Sequence, residues 1–204
     1  MGGTHGIART ETPAHTVLQG GGRYEVWRYP SSVAAVVRVT DVQRAATDRA
    51  FRDAAFSLLA RYIGVFSRPH NATVGNRPEK IAMTSPVVMT PGAHERTHSM
   101  RFLLPSRYRS VEEAPAPTDA AVKLEMAPAG RVEAVLRFSG NMDMGVAAQR
   151  AAELGRLLEE DGLKPTGAWI ACAYDPPFMP PMMKRNEVHF PLDPKAFPTQ
   201  QGGK

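Results

Sequence analysis

The sequence predicts an α+β domain built from two diverged copies of a β-β-α-β-β unit, with eight strands and two helices in all. Residues 35–39 (AVVRV) match residues 134–138 (AVLRF), each after a proline-containing turn and before a helix. After that helix, residues 81–86 (IAMTSP) match residues 170–176 (IACAYDP), and a final strand follows in each half. Four elements that recur in one order indicate a duplication rather than a chance sharing of Ala and Val.

The first copy begins with two β-prone segments and continues through a helix. That helix begins at Thr47 or Asp48, whose side chains can accept hydrogen bonds from the free N–H groups of the first turn, and it ends near Ile63. Gly and Pro in residues 64–79 predict a loop, and APAP at residues 114–117 predicts a linker. The predicted strands are residues 24–28, 33–39, 81–89 and 99–104.

The second copy repeats this order. Its helix begins at Asn141 or Asp143 and ends near Asp161, and Gly162 stops it. Residues 175–184 (DPPFMPPMMK) cannot form regular structure, because each proline lacks a donor and fixes φ. The predicted strands are residues 122–126, 132–138, 169–174 and 187–191.

The two copies are expected to form one domain, because a single small sheet cannot bury its own apolar face. Pairing into one closed or nearly closed antiparallel sheet, with the helices outside, removes exposed edges. We expect a domain over residues 22–194, with repeats at about 22–105 and 120–192. Residues 1–21 are predicted to be a mobile segment and residues 195–204 a flexible tail.

Composition narrows the class of protein. The chain has 204 residues, of which 43% are hydrophobic and 22% charged, so it can bury a core. The net charge of +5 is scattered, without a basic run or zinc-finger spacing, which argues against nucleic-acid binding. No segment is apolar enough to span a membrane, and none at the N-terminus is typical of a secretory signal. The single cysteine, Cys172, fits a reducing compartment, so we expect a cytoplasmic monomer, with a plastid as the alternative location.

Several segments carry a likeness to a known family. They are residues 24–30 (YEVWRYP), 62–63 (YI), 80–87 (KIAMTSPV), 100–105 (MRFLLP), 138–140 (FSG), 174–177 (YDPP) and 185–188 (RNEV). In this order they resemble the SOUL heme-binding family, and its plant and algal members in particular. The resemblance implies a distorted antiparallel eight-stranded β-barrel flanked by two α-helices. It also implies reversible, non-covalent binding of heme b or another tetrapyrrole, for buffering, transport or signalling and without catalysis.

The resemblance places the tetrapyrrole in a surface cleft between the first helix and the loop before the last strand. On the helix, the candidate apolar contacts are Phe56, Leu59, Ala60 and Ile63. Their pattern fits a core face as well as it fits a ligand face, and both interpretations stay open. Arg52 and Arg61 are candidates for the propionate edge, with plain solvated charges as the alternative.

The loop supplies the other candidate contacts. Phe178, Met179, Met182 and Met183 lie among four prolines, so adaptable apolar side chains stand on a stiff backbone. Lys184 follows directly and is a candidate for the propionates. The alternative is a loop that only closes the end of the barrel.

Iron ligation departs from some family members. Residues 31–33 (SSV) stand where a histidine ligand has been assigned in such members, and the first helix has no histidine. We therefore expect no strong axial His–iron bond, while ligation by a methionine of the loop stays open. His94 to His98 reads HERTH, but a zinc protease needs this motif on a helix and here it follows TPG, so no metal site is predicted. An enzyme that uses the same cleft, such as a hydrolase or a porphyrin-modifying enzyme, and a protein-interaction domain are the alternative functions.

Overall fold

The structure is a computed structural model, and it describes residues 10–42, 47–92 and 96–198. Two α-helices lie in these ranges, α1 (Asp48–Ile63) and α2 (Met144–Glu160). The strands of the first half are β1 (Thr16–Gln19), β2 (Glu25–Tyr29), β3 (Ser32–Arg38), β4 (Asn71–Ala72), β5 (Val87–Pro91) and β6 (Thr97–Leu103). Those of the second half are β7 (Ala116–Pro117), β8 (Lys123–Ala127), β9 (Arg131–Phe138), β10 (Ile170–Ala173) and β11 (Asn186–Leu192).

One antiparallel sheet of nine strands dominates the fold, in the order β1-β2-β9-β11-β10-β5-β6-β3-β8. All eight predicted strands belong to it, and β1 is added at one edge. The first strand of each copy pairs with the other copy: β2 lies on β9, and β8 lies on β3. The two halves of the sheet, β2-β9-β11-β10 and β8-β3-β6-β5, therefore have the same topology, and they meet where β5 pairs with β10.

This pairing does not by itself close the sheet into the predicted eight-stranded barrel. The hydrogen-bonded order begins at β1 and ends at β8, and no ladder joins these two strands within the described ranges. The ninth strand arises because Thr16–Gln19 pairs with β2, in a segment that we had predicted to be mobile. The α+β class, the antiparallel pairing and the two helices are confirmed.

The main sheet has a helix face and a cavity face. On β3, Val33, Ala35 and Val37 belong to the helix face and pack in the core, while the residues between them belong to the cavity face. α1 packs mainly on β3 and β6, and α2 packs mainly on β9 and β11. The central strands β5 and β10 therefore lie between the two helices.

The helix ends follow the predicted chemistry. Thr47 Oγ1 accepts a hydrogen bond from the N–H of Ala50 at 3.1 Å, and Asp143 Oδ1 accepts one from Val146 at 2.9 Å. Gly64 ends α1 with φ of 77°, and a Cβ there would lie 2.5 Å from the ring of Pro69. Only glycine fits that position. Neither described helix has the length and hydropathy that crossing a membrane requires.

Three other segments differ from the prediction. Residues 81–83 are not part of a strand, because the N–H of Ile81 donates to the carbonyl of Ile63 at the end of α1 and the ladder of β5 begins only after Pro86. The predicted linker at 114–117 includes β7, which pairs with β4 in a separate two-stranded sheet. Of the predicted tail, residues 199–204 lie outside the described residues, and Pro194–Ala196 form a short 3-10 helix.

Asn71 joins the loop after α1 to the helix, and its side chain is buried. Its amide nitrogen donates to the carbonyls of Tyr62 at 2.7 Å and Glu79 at 2.9 Å, and its oxygen accepts from the N–H of Glu79 at 2.9 Å. Three backbone groups, the buried carbonyl of Tyr62 and two half-buried groups of Glu79, thus depend on one side chain.

We expect Asn71→Ala to lower the free energy of unfolding by about 2–4 kcal/mol, because it leaves these groups without partners. The measurement is equilibrium unfolding in urea. Asn141→Ala is the matched control: its amide oxygen has one exposed hydrogen bond, with Lys184. An equal loss in the two variants would contradict the role of Asn71.

Candidate functional site

The cleft that we predicted for a ligand would lie on the helix face, between α1 and the loop at residues 175–184, and we call this region the groove. Phe56 of α1 lies against Phe102 of β6, with ring centroids 5.3 Å apart. Phe102 pairs with Val87 of β5, which pairs in turn with Ala173 of β10, just before the loop. Two strand spacings, about 10 Å, therefore separate β6 beneath Phe56 from β10, where the loop begins.

The predicted helix residues fall into two groups. Leu59, Ala60 and Ile63 are 0–1% exposed and belong to the core. Two interpretations were left open for these three residues, and their burial favours the core. The expectation that they contact a ligand in a surface cleft is corrected. Phe56 is 38% exposed, so it can contact a ligand without any opening of the core.

The predicted helix arginines are also not equivalent. Arg52 forms an ion pair with Asp48 at 3.0 Å, one turn before it, and is mostly buried. Asp48 also accepts a hydrogen bond from the N–H of Thr97, which fixes the carboxylate between helix and sheet. Arg61, in the last turn of α1, is exposed.

The loop presents its apolar side chains to solvent. Phe178, Met182 and Met183 are 87%, 83% and 66% exposed, whereas Met179 is half-buried. Exposed apolar side chains clustered on one short loop mark a contact surface more often than isolated ones do.

Hydrogen bonds hold the loop against the turn between β9 and α2. The N–H of Gly140 donates to the carbonyl of Pro181 at 2.9 Å, and Lys184 Nζ donates to Asn141 Oδ1 at 2.8 Å and to the carbonyl of Pro177 at 2.9 Å. Lys184 thus already supports the loop, so an incoming propionate would have to share it.

The described residues include only part of the HERTH segment. His94 and Glu95 of the HERTH segment lie outside the described residues. Across the ranges that the structure describes, no group of three or more His, Cys, Asp or Glu side chains is arranged to hold a metal ion.

A second cluster, which we did not predict, lies on the cavity face. His189 of β11 stands between two carboxylates: its Nδ1 is 2.8 Å from Glu133 Oε2 and its Nε2 is 3.0 Å from Glu187 Oε2. Burial alone would lower the pKa of His189, but the neighbouring Cys172 and the two carboxylates raise it well above 6.5. His189 is therefore an imidazolium that donates to both.

Glu187 is fully buried and is surrounded by donors. Tyr174 donates to its Oε2 at 2.6 Å, while Arg185 and Arg137 approach its Oε1 at 2.6 and 3.3 Å. Burial opposes ionisation, yet His189 and these hydrogen bonds lower the pKa of Glu187 to about 2. The pKa of Glu133 is lowered as well, against the effect of burial, chiefly by His189.

Beside this cluster a cavity of about 500 Å³ opens on the same face of the sheet. Its wall includes His189, Glu133, Cys172 and Arg101, and residues 11–14 cross one side of it. The isolated bridge between Glu11 and Thr84 and the hydrogen bond from the N–H of Ser106 to Glu11 Oε1 fix that crossing segment. A volume of this size is typical of a small-molecule pocket.

The sequence did contain a signal for this cluster. Polar residues alternate with apolar ones along parts of β9 and β11, as in Arg131, Val132, Glu133, Ala134 and in Glu187, Val188, His189. Such alternation looks the same whether the polar face meets water or a cavity. Arg38 and Arg137 belong to this face by the same alternation: Arg38 pairs with Glu125, and the exposed Arg137 pairs with Glu25 and Glu187.

The topology and the cavity define a class: an α+β domain of two β-β-α-β-β repeats, with two helices on one face of its sheet and a cavity on the other. Residues 10–191 match the family described as SOUL heme-binding protein. The chain belongs to that family.

Solved structures support the fold. A hydrolase from Listeria innocua has a TM-score of 0.53 at 13% identity, covering 84% of this chain and 92% of that one. The EcmrR C-terminal domain also has a TM-score of 0.53, at 12% identity, covering 83% of this chain and 98% of that one. At these identities the likeness concerns the fold alone. No curated protein shows significant similarity to the chain.

The buried Glu187 predicts a dependence of stability on pH. Because its pKa falls from the ordinary 4.5 to about 2 on folding, the stabilisation is present above about pH 4.5 and is lost as the pH falls toward 2. We expect Glu187→Gln to lower the free energy of unfolding at neutral pH by about 2 kcal/mol or more and to flatten this acid dependence.

The measurement is urea unfolding at a series of pH values. Glu153→Gln, which removes an exposed ion pair with Arg150, should change stability by less than about 0.5 kcal/mol at any of them. If Glu187→Gln kept the acid slope of the unmodified protein, the assignment of that slope to Glu187 would be wrong.

Proposed function

We propose that the protein binds heme or another tetrapyrrole, reversibly and without a covalent bond, in the groove between α1 and the loop at residues 175–184. The observation that carries the proposal is the loop itself, with Phe178, Met182 and Met183 exposed on a backbone held by hydrogen bonds. Membership of the SOUL heme-binding family supports the choice of ligand.

The groove suits a flat apolar disc. Methionine and phenylalanine side chains of the loop would cover one face, and burying each would contribute about 1.5–3 kcal/mol. Phe56, whose exposed edge lies across the groove, would contact the other. Met179 belongs to the same proposed wall but would have to turn outward to contribute fully.

Cations near the groove suit the propionates. Arg61 is exposed and available, whereas Arg52 and Lys184 have protein partners, Asp48 and Asn141, that a propionate would join or displace. An arginine–carboxylate contact is strong when it is bidentate. We therefore assign Arg61 the larger part of this recognition.

We further propose that iron, where the tetrapyrrole contains it, receives no histidine from this groove. α1 has no histidine in its sequence, and His189 is buried on the opposite face between two carboxylates. Methionine ligation by the loop remains the alternative. The role would be buffering, transport or signalling by a monomer, in the cytoplasm or in a plastid.

The two alternatives to tetrapyrrole binding are a protein-interaction domain and an enzyme. The exposed loop is equally a surface on which a partner protein could dock, and such docking would not need a tetrapyrrole. An enzyme would need a reactive centre, and the nearest arrangement is Cys172 beside His189. It is unsuited to nucleophilic catalysis, because both ring nitrogens of His189 donate to carboxylates and cannot take the thiol proton.

We also propose that the sheet forms the closed barrel of the family. The cavity, which residues of both halves of the sheet line, supports this proposal.

Titration with hemin tests the proposal. We expect a saturable change in heme absorbance near one equivalent, and about tenfold or more weaker binding when Met182 and Met183 are both replaced with Ser, since apolar contact is lost. Met126→Ser is the matched control, because Met126 is also exposed but lies on β8, away from the groove.

Folded protein that caused no change with hemin would refute the proposal. Weakening by Met126→Ser but not by the loop variant would place the ligand elsewhere. Association with a protein that the loop variant abolishes, without hemin binding, would favour the interaction domain.

A further inference from the structure

The cavity on the opposite face of the sheet contains one partly buried cation that forms no ion pair among the described residues, although the charges of Glu125 and Glu133 act on it from a distance. Arg101 of β6 lines it, and its Nε is buried without a hydrogen-bond partner among the described residues. One terminal nitrogen donates to Thr90 Oγ1 at 3.3 Å, which is a neutral and long contact. A buried donor left unpaired costs free energy, more so when it is charged.

The other charges of the cavity have partners. Glu125 pairs with Arg38. Glu133 is shared between His189 at 2.8 Å and Arg131 at 3.5 Å. At the rim, Glu11 accepts a hydrogen bond from the N–H of Ser106. Arg109 lies at the rim too, but it is exposed to solvent.

The duplication explains why Arg101 lacks a carboxylate. Val36 of β3 pairs with Arg101, and Val135, the matching position of β9, pairs with His189. Arg101 and His189 therefore occupy equivalent positions in the two copies. The carboxylates that hold His189 have uncharged counterparts around Arg101.

Those counterparts follow from the same register. Ala34 is the equivalent of Glu133, and Ser99 is the equivalent of Glu187. Where the second copy supplies two carboxylates to its cation, the first copy supplies a methyl group and a hydroxyl, and the small side chain of Ala34 faces the cavity instead.

Apolar side chains line much of the wall near Arg101, alongside Glu125. Val88 is the cross-strand neighbour of Arg101, and Leu103 follows it on the same face of β6. Ile170 and the ring of Tyr29 line the second half of the cavity. Such a surface suits a flat hydrocarbon or aromatic body of modest size.

From these observations we infer that the cavity is a second binding site, distinct from the groove, for a small aromatic or apolar carboxylate whose anionic group contacts Arg101. The ligand's carboxylate replaces the acidic partner that the first copy lacks, and a bidentate contact would satisfy the unpaired Nε. Its apolar body packs on Val88, Leu103 and Ile170. The inference does not depend on tetrapyrrole binding in the groove.

Binding of 2-naphthoate, measured by isothermal titration calorimetry on the full chain, tests the inference. We expect saturable binding that Arg101→Gln weakens by about tenfold to a hundredfold, because a charge-assisted contact is lost. The neutral analogue 2-naphthamide should bind more weakly to the unmodified protein and be little affected by the substitution. Arg49→Gln, at an exposed position of α1, is the matched control and should leave the affinity unchanged.

A second variant guards against a folding defect at Arg101. Ala34→Leu fills the cavity without removing a charge and should also weaken 2-naphthoate, with circular dichroism to verify the fold. Saturation with hemin should leave the 2-naphthoate affinity unchanged, since the two ligands occupy opposite faces. Any one of three results would overturn the inference: no binding of 2-naphthoate, equal binding by the Arg101→Gln variant, or one-for-one displacement of 2-naphthoate by hemin. Failure of hemin binding alone would refute the groove and leave the cavity site standing.

Discussion

The pairing of β5 with β10 is the contact on which the rest of the structure depends. It is the seam between the two copies, and without it each half of the sheet would have another exposed edge. Its register also assigns each residue to a surface. Val87 and Ala173 are on the helix face, while Val88 and Cys172, the next residue along each strand, face the cavity. A shift of one residue would exchange the two faces and lose both sites.

Much of the fold could be predicted because a duplication tests itself. A strand that is ambiguous in one copy is supported by its counterpart, and all eight predicted strands and both helices occur in the structure. Thr47 and Asp143 were identifiable as caps, since their acceptors satisfy free N–H groups. β1 was missed because Thr16–Gln19 has no counterpart in the second copy and pairs at an edge. Residues 81–83 were assigned to a strand on their apolar character, whereas Ile81 bonds to the end of α1.

The candidate sites were predictable to different degrees. The loop at 175–184 was recognised because proline interrupts strands and longer helices and loops lie at the surface, which agrees with the exposure of Phe178 and Met182. The expectation of no regular structure was wrong at Pro181–Met183, which form a short 3-10 helix. Periodicity could not separate Phe56 from Leu59, since a helix face that meets the core and one that meets a groove have the same spacing. The cluster around His189 was missed because its carboxylates, Glu133 and Glu187, are on different strands and meet only through the register.

The two faces of the sheet also explain where the copies have diverged. On the helix face, Val33, Ala35 and Val37 match Val132, Ala134 and Leu136, because a packed core accepts only apolar side chains of similar volume. The cavity face is not filled by packing, so its residues are free to differ. Arg101 occupies the position in the first copy that His189 occupies in the second. In the second copy's half of that face, His189 is held by Glu133 and Glu187, so its charge is satisfied. In the first copy's half, Arg38 pairs with Glu125 but Arg101 has no ion pair, and we therefore propose that this half provides the cation for a ligand.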